Sequence, residues 1–219
     1  MSKPIRTLAL TAPFLAAALL ASPAAATGGS GHDVDRFRAH LAPVPHDPSA
    51  DSGSNVQGRA QLVARGNTVT ATVHAKGLSP NLPHVMHIHG ELDAKNECPG
   101  PEARVGGVND KLIETVDGLP SYGPINVSFT TRGGTTPADA LALDRAPVAN
   151  SAGVLNYSRT LEIPEDVREE LGDLHIVIHG EDLDDDGQYD ATPVTALGAP
   201  LEAELPVACG ALDMKNHKH

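Results

Sequence analysis

Tryptophan is absent from this chain of 219 residues, and aromatic residues make up only 3% of it. Stacking platforms for sugar rings or nucleic-acid bases are built from such side chains, so the sequence offers no evident one. It also contains no G-x-S-x-G elbow, no glycine-rich phosphate loop and no H-E-x-x-H helix. Serine, histidine and aspartate are plentiful, but no local signature groups them into a catalytic triad.

Positive charge is scarce as well. The chain has 16 lysines and arginines against 28 aspartates and glutamates, a formal net charge of −12. Loss of residues 1–26, which hold Lys3 and Arg6 and no acid, would leave 14 − 28 = −14. This balance argues against nucleic acid or an anionic membrane surface as a partner. It would also repel a small anionic substrate unless a local positive patch compensated.

Only one long apolar run is present, over residues 8–20. Basic residues precede it and Ala24-Ala25-Ala26 follows, a pattern typical of a secretory signal peptide that is cleaved after residue 26. A membrane anchor is the alternative, but the run is shorter than the roughly 20 apolar residues of a spanning helix. No later stretch is apolar enough to span a bilayer. We therefore expect a secreted or otherwise extracytoplasmic protein without a transmembrane segment after cleavage.

Cysteine occurs only twice, at Cys98 and Cys209. In an exported chain two cysteines are more often paired than free, so a disulfide is predicted, with two buried thiols as the alternative. The bond would close a loop of 209 − 98 = 111 residues, for which chain entropy allows roughly 4–5 kcal/mol at most.

The domain organisation is inferred from changes in hydrophobic period. Residues 27–55 are rich in Gly, Ser, Pro, Asp and His, which predicts a flexible lead segment with at most a short turn over 34–41. From Val56 onward apolar and polar residues alternate, and a β-hairpin is predicted around Gly66-Asn67. Residues 56–212 are interpreted as one β domain and 213–219 as a polar tail, whose two histidines need not bind metal.

The fold class follows from short alternating segments and few helix signals. Further strands are predicted over 85–89, 125–131, 154–163, 174–179 and 201–207. One short helix is predicted over 164–171, and 137–143 could form another turn or two. Long Gly- and Pro-rich connections between such strands indicate an all-β fold, an antiparallel Greek-key sandwich or barrel.

Two histidine segments carry the clearest chemical signal. In HVMHIHG, residues 84–90, strand alternation places His87 and His89 on one face, about 6–7 Å apart along the chain. In HIVIHG, residues 175–180, His175 and His179 share a face in the same way. Neutral imidazoles held like this suit copper or zinc. One such pair alone would more simply be a surface or core pair, but two segments that both end in His-Gly favour a metal site.

The order of these motifs resembles that of the copper/zinc superoxide dismutases. The G-x-A-x-L strand from Gly58, the turn Gly77-Leu78-Ser79-Pro80 and the H-x-x-H-x-H segment match the start of that family, and Ala208-Cys209-Gly210 resembles its end. Cys98 then corresponds to the family's other half-cystine. The resemblance covers most of residues 56–212. The sequence of residues 78–90 is also similar to that of the chordin-type (CHRD) domain, a related β-rich module.

The resemblance implies a dismutase-like barrel in which His87, His89 and His179 bind copper. His84 would support the site from behind, and His175 would be an additional supporting residue or ligand. Between Cys98 and residue 174 there is no histidine, so the family's bridging and zinc ligands have no counterpart and zinc is not expected.

The family's superoxide-attracting arginine is replaced as well, by Pro206. Because the three copper ligands are retained, copper binding is expected. The loss of the arginine leaves dismutase activity open. The alternatives are a non-catalytic chordin-like module stabilised by calcium and the disulfide, with an unknown protein partner, and a copper-scavenging protein.

An acidic segment follows the second histidine pair and suggests calcium. Its D-x-D-x-D-G-x-x-D pattern supplies the side chains that wrap a hard cation in calcium loops: Asp182, Asp184, Asp186, Gln188 and Asp190. The twelfth position of such a loop, normally glutamate, is Pro193, and the flanks predict a strand. The segment is therefore either a calcium loop outside an EF-hand or a solvated acidic turn.

Overall fold

Nine strands dominate the structure, a computed structural model that describes residues 34–50, 55–94 and 96–214. They are β1 Val34–Pro43, β2 Gln57–Arg65, β3 Thr68–Lys76, β4 Met86–His89, β5 Ile125–Ser128, β6 Val154–Glu162, β7 His175–His179, β8 Pro206–Ala211 and β9 Asp213–Met214. The helices are short: α1 Thr115–Tyr122, α2 Glu165–Glu169 and α3 Leu201–Glu204. The predicted signal peptide, residues 1–26, lies outside the described residues. In the described ranges no helix is long and apolar enough to cross a membrane.

The strands form an antiparallel sheet in the order β5-β4-β7-β8-β1-β2-β3-β6, with β9 added to β1. The sheet folds into two layers, β1-β2-β3-β6 and β5-β4-β7-β8, which are joined where Ala42 pairs with Cys209 and Pro43 with Ala208. The chain crosses between the layers from β3 to β4 and from β6 to β7, as Greek-key connections do. The predicted all-β antiparallel class is confirmed.

The half-barrel is open between the described ends of the sheet, β5 and β6. Side chains bridge the gap. Tyr157 on β6 stacks on Phe129 and donates its hydroxyl proton to the Thr130 carbonyl at 3.1 Å. Arg159 donates to the carbonyls of Thr130 and Gly133. These bonds satisfy polar groups that backbone pairing would satisfy in a closed barrel.

The core lies between the two layers and explains which face of each strand is apolar. In β1 to β3 every second residue is buried, including Phe37, Leu62 and Val73. From the other layer Ile88 of β4 and Ile176 of β7 point into the same cluster. Burial of such apolar area, at about 25 cal/mol per Å², is the main stabilising term.

Three local predictions were wrong. Val34–Pro43 forms β1 rather than a turn in a flexible segment, because Phe37, Ala39 and Leu41 complete the core. Residues 201–207 are not one strand, since α3 precedes β8 and both Glu202 and Glu204 are buried. Asp213–Met214 pairs with β1 instead of belonging to a free tail, while residues 215–219 lie outside the described part.

The helix α1, which contributes to the site, was not predicted from the sequence. Its sequence contains Gly118 and Pro120, which oppose helix formation. A capping box between Glu114 and Asp117 starts it. Gly118 is required because a Cβ there would lie 2.3 Å from the Tyr122 ring. The predicted helix over 164–171 is present as α2.

Candidate metal centre

The three histidines singled out by the sequence come from two neighbouring strands. β4 and β7 pair antiparallel, with His87 opposite Val177 and His89 opposite His175. The ladder continues past the strand end, where the His179 amide donates to the Val85 carbonyl at 2.9 Å. His179 is therefore the diagonal neighbour of His87 on the same face, a position from which long side chains meet.

His87, His89 and His179 converge. One ring nitrogen of each lies within 4.8 Å of the corresponding nitrogens of the other two. The ring centroids are 5.0 to 5.7 Å apart. The three residues are 2%, 0% and 2% exposed, so their rings are closed off from solvent.

Hydrogen bonds to backbone carbonyls determine which ring nitrogen faces the centre. His87 Nε2 donates to the Ala140 carbonyl at 3.0 Å, His89 Nδ1 to that of Gly123 at 2.9 Å and His179 Nδ1 to that of Glu204 at 2.7 Å. A carbonyl can only accept, so each of these nitrogens carries the proton. The opposite nitrogens are His87 Nδ1, His89 Nε2 and His179 Nε2, and all three are buried without a partner.

The electrostatics keep the three imidazoles neutral. Burial lowers the pKa of His89 to about 3 and that of His179 to about 4. Burial, and then the proximity of His179 and His89, lowers the pKa of His87 well below its usual range. Metal ions bind the neutral imidazole, so at neutral pH no proton has to be displaced from these three rings.

Both histidine strands end in glycine for a steric reason. Gly90 and Gly180 have φ values of +154° and +107°, in the region that favours glycine. A Cβ at Gly180 would lie 2.2 Å from the Tyr189 hydroxyl, and one at Gly90 would lie 2.3 Å from Leu174 Cδ2. The repeated His-Gly pattern therefore marks a sharp exit of each strand directly after a site histidine.

His84 and His175 lie near the three histidines without joining them. Each ring nitrogen of His84 is 3.1 Å from a carbonyl oxygen, that of His179 or that of Ser79. His84 thus contacts the backbone of His179 from outside the group of three. His175 Nδ1 is buried without a hydrogen bond, and burial lowers the pKa of this side chain, with Glu97 opposing.

A layer of loop and helix covers the site. The Tyr122 ring of α1 packs edge-on against His89, with centroids 4.6 Å apart, and its hydroxyl donates to the Thr115 carbonyl. The Thr115 hydroxyl donates to the same Glu204 carbonyl that His179 uses. The predicted disulfide Cys98–Cys209 is present, and it ties the start of this layer to β8. Cys209 packs beside Tyr122 in a small apolar cluster.

Of the five residues proposed for a calcium loop, the structure brings only Asp182 and Asp184 together, with Glu202 as the third member of the group. Asp186 accepts bonds from Gln188, and Asp190 donates its amide proton to Glu202. Asp182 and Glu202 each accept two backbone amide protons, so the turn satisfies most of its own carboxylate oxygens. The group could hold a cation, and no ligand identity follows from it.

The sequence did not indicate the roles of Glu202 and Thr115, or of the backbone carbonyls of residues 123, 140 and 204 that accept hydrogen bonds from the histidine rings. A strand over 201–207 would leave Glu202 on its polar face, whereas in the structure Glu202 is buried beside Asp182 and Asp184. The backbone carbonyls leave no trace in the sequence, because any residue type can supply them.

No protein-family model and no curated protein matches the chain. Its function is therefore inferred from the geometry of the site and from the motif order in the sequence.

Proposed function

We propose that this chain is an extracytoplasmic copper-binding domain of the superoxide dismutase-like type, with His87, His89 and His179 as ligands. The observation that carries the proposal is that one ring nitrogen of each histidine lies within 4.8 Å of those of the other two, and that each ring has one buried nitrogen without a partner. A buried acceptor without a partner costs about 1–3 kcal/mol. One metal ion would satisfy all three.

The donor set agrees with copper. Three imidazole nitrogens without thiolate or carboxylate suit copper and zinc alike, and the motif order of the sequence favours copper. When bound, copper would supply one-electron chemistry by alternating between Cu(II) and Cu(I), and the low coordination number favours Cu(I). The chain's own groups orient the rings through the carbonyls of residues 123, 140 and 204, and exclude water with Tyr122. Such supporting bonds raise the basicity of metal-binding imidazoles.

Export is supported by the disulfide between Cys98 and Cys209, since such bonds persist in oxidising compartments. It agrees with the signal peptide predicted over residues 1–26.

The proposal is tested by titrating the purified chain with copper under reducing and under oxidising conditions. The variant H87Q/H89Q/H179Q removes the site, and the matched control H32Q/H40Q/H74Q removes three histidines that the proposal does not use. We expect the wild type and the control to bind one copper ion per chain, and the site variant to lack this binding. Circular dichroism checks folding, and the single variant H179Q replaces the triple variant if the latter does not fold. Equal copper affinity in all proteins would refute the proposal.

We expect copper binding without efficient dismutation. Pro206 stands where the family's arginine would attract superoxide, the chain is strongly acidic, and the three rings are closed to solvent. A superoxide assay on the copper-loaded protein should give no rate above free-copper controls. A clear rate above those controls, lost in H179Q, would show that the enzyme activity has survived.

A second candidate is a non-catalytic extracellular module of the chordin-like kind, favoured by the disulfide and by the acidic group of Asp182, Asp184 and Glu202. In that case calcium should raise the melting temperature of the wild type but not of E202Q. Replacement of the three site histidines should then leave folding and partner binding unchanged.

A further inference from the structure

The exposed face of the β1-β2-β3-β6 layer concentrates positive charge on an otherwise acidic chain. Strand alternation places five of the sixteen lysines and arginines on this face: Arg36, Arg38, Arg59, Arg65 and Lys76. The acids that share it, Glu162 and Asp213, lie on the last strand of the layer and on the short strand β9. We call this surface the basic face.

The strand register arranges the basic face in rows. One row, read from β1 to β6, is His40, Arg59, His74 and Asn156, and the next is Arg38, Gln61, Thr72 and Ser158. Cross-strand neighbours on one face lie about 4.5–5.5 Å apart at Cβ, so the rows form a continuous band of polar side chains. Nearly every member of the band can donate a hydrogen bond.

The band lies in a depression. Two adjoining grooves, of about 790 and 320 Å³, share His40, Arg59 and His74 as lining residues. Arg38 lines the larger groove and Lys76 the smaller one. Among the lining residues of both grooves Asp213 is the only acid.

The cations of this band have one acidic neighbour, Asp213, which lies opposite Arg38 in the β1–β9 register, and no acid lies opposite Arg59 or Lys76. The ion pairs of Arg104, Arg132, Arg145 and Arg168 with their acids do not include Arg38, Arg59 or Lys76. Arg38, Arg59 and Lys76 are exposed. Their positive potential is therefore available to a partner, although the net charge of the chain is −12.

We propose that the basic face binds a linear anionic polysaccharide that carries sulfate, phosphate or carboxylate groups. Cations in a groove complement its charges, and the interleaved amides and hydroxyls of Gln61 and Thr72 complement its hydroxyl groups. The lining has no exposed aromatic side chain on which a base or a sugar ring could stack, because Tyr157 is 5% exposed and packs inward, so recognition would depend on charge and hydrogen bonds alone. The lining also lacks exposed aromatic and methionine side chains, which are enriched in protein–protein interfaces.

The test uses the intact chain on immobilised heparin, with neutral dextran as the uncharged comparison. The variant R38Q/R59Q/K76Q removes the groove cations, and R104Q/K111Q/R132Q makes the same change in net charge elsewhere. We expect wild type and control to be retained until moderate salt. The groove variant should bind on the order of a hundredfold more weakly, since each cation near an anionic surface contributes about a factor of five.

Three outcomes would overturn the proposal. The first is no heparin binding by the wild type at low salt. The second is an equal loss in both variants, which would indicate net charge alone. The third is tighter binding to DNA or to phosphatidylserine vesicles than to heparin. Melting temperatures of the variants separate lost binding from lost folding, and single substitution R59Q replaces the triple variant if that one is unfolded. The metal site does not enter the result, because it lies on β4 and β7.

Discussion

At the scale of single residues, the candidate metal centre depends on which nitrogen of each imidazole is already engaged. His87 donates from Nε2, whereas His89 and His179 donate from Nδ1. These bonds leave one buried nitrogen without a partner on each of three neighbouring rings: His87 Nδ1, His89 Nε2 and His179 Nε2. Without these carbonyl bonds each ring could rotate or change tautomer, and the convergence would be lost.

His84 provides a residue-scale prediction. Its ring nitrogens lie beside the His179 and Ser79 carbonyls, so His84→Phe fills the same space but leaves the carbonyl that accepts the single imidazole N–H without this donor. We expect a loss of about 1–3 kcal/mol in unfolding free energy. We also expect roughly tenfold weaker copper binding, as for other residues that support metal ligands.

Urea denaturation and copper titration measure the two effects, with His40→Phe on the exposed face of β1 as the control. Unchanged copper affinity in His84→Phe would show that His84 stabilises the fold without positioning His179.

At the scale of elements, β4 and β7 are buried on both faces. One face carries the site histidines, and the other carries Ile88 and Ile176 into the core. Ile88→Ala should therefore cost about 2–5 kcal/mol of unfolding free energy, as for other large-to-small core changes. Val105→Ala, at a position 65% exposed, should change it by less than about 0.5 kcal/mol. Similar effects of both substitutions in urea denaturation would contradict the described packing of β4.

The disulfide gives a second prediction at this scale. The double substitution C98S/C209S opens a loop with a sequence separation of 111 residues. Because the cross-link restricts the unfolded chain, its loss should cost about 2–5 kcal/mol. Copper affinity should also fall, since the loop after Cys98 leads to Tyr122 and Gly123, which contact His89.

Reductant supplies the matched control for that experiment. Dithiothreitol should lower the urea midpoint of the wild type to that of C98S/C209S and leave the variant unchanged. A wild-type midpoint that does not respond, measured after the thiols have been shown to be reduced, would contradict the stabilising role of the bond.

At the scale of the whole molecule, buried ionisable groups make the stability of the metal-free protein depend on pH. Burial lowers the pKa of His89 to about 3 and of His179 to about 4, whereas the unfolded chain takes up these protons near pH 6.5. Between these values the unfolded state binds more protons, so the stability due to these histidines falls as the pH falls. Glu204 acts in the opposite direction, because burial raises its pKa to about 7.

The histidines outnumber Glu204, so we expect unfolding free energy to decrease from pH 7 to pH 5 in the presence of a chelator. E204Q should make the decrease steeper, and H87Q/H89Q/H179Q should make it flatter. Urea denaturation at each pH measures the slopes. A wild-type slope that neither variant alters would contradict the assigned burial of these groups.

The distribution of charge is also a property of the whole molecule. The net charge of −12 alone predicts repulsion of any polyanion. The sheet nevertheless gathers Arg38, Arg59 and Lys76, which are distant in sequence, onto one exposed face. The net charge is therefore correct for the whole chain but does not describe how charge is distributed over its surface.

Much of the site was predictable because strand alternation is a local property. His87 and His89 share a face for that reason, and Cys98 and Cys209 were the only cysteines available to pair. The acidic group was predicted less well, since Glu202 joins Asp182 and Asp184 from a distant segment. α1 could not be predicted, because its Gly118 and Pro120 are accommodated by contacts with Tyr122 and the surrounding loop.

By itself, then, the sequence determined the all-β class, the positions of most strands along the chain, the candidate ligands and the disulfide partners. Each of these follows from period-two patterning or from residue chemistry, which short stretches of chain express on their own. Only the tertiary structure decided that β1 belongs to the sheet, that His84 and His175 stay outside the group of three, and that the cations share a groove. Those outcomes depend on contacts between segments far apart in the chain, and local sequence patterns do not determine such contacts.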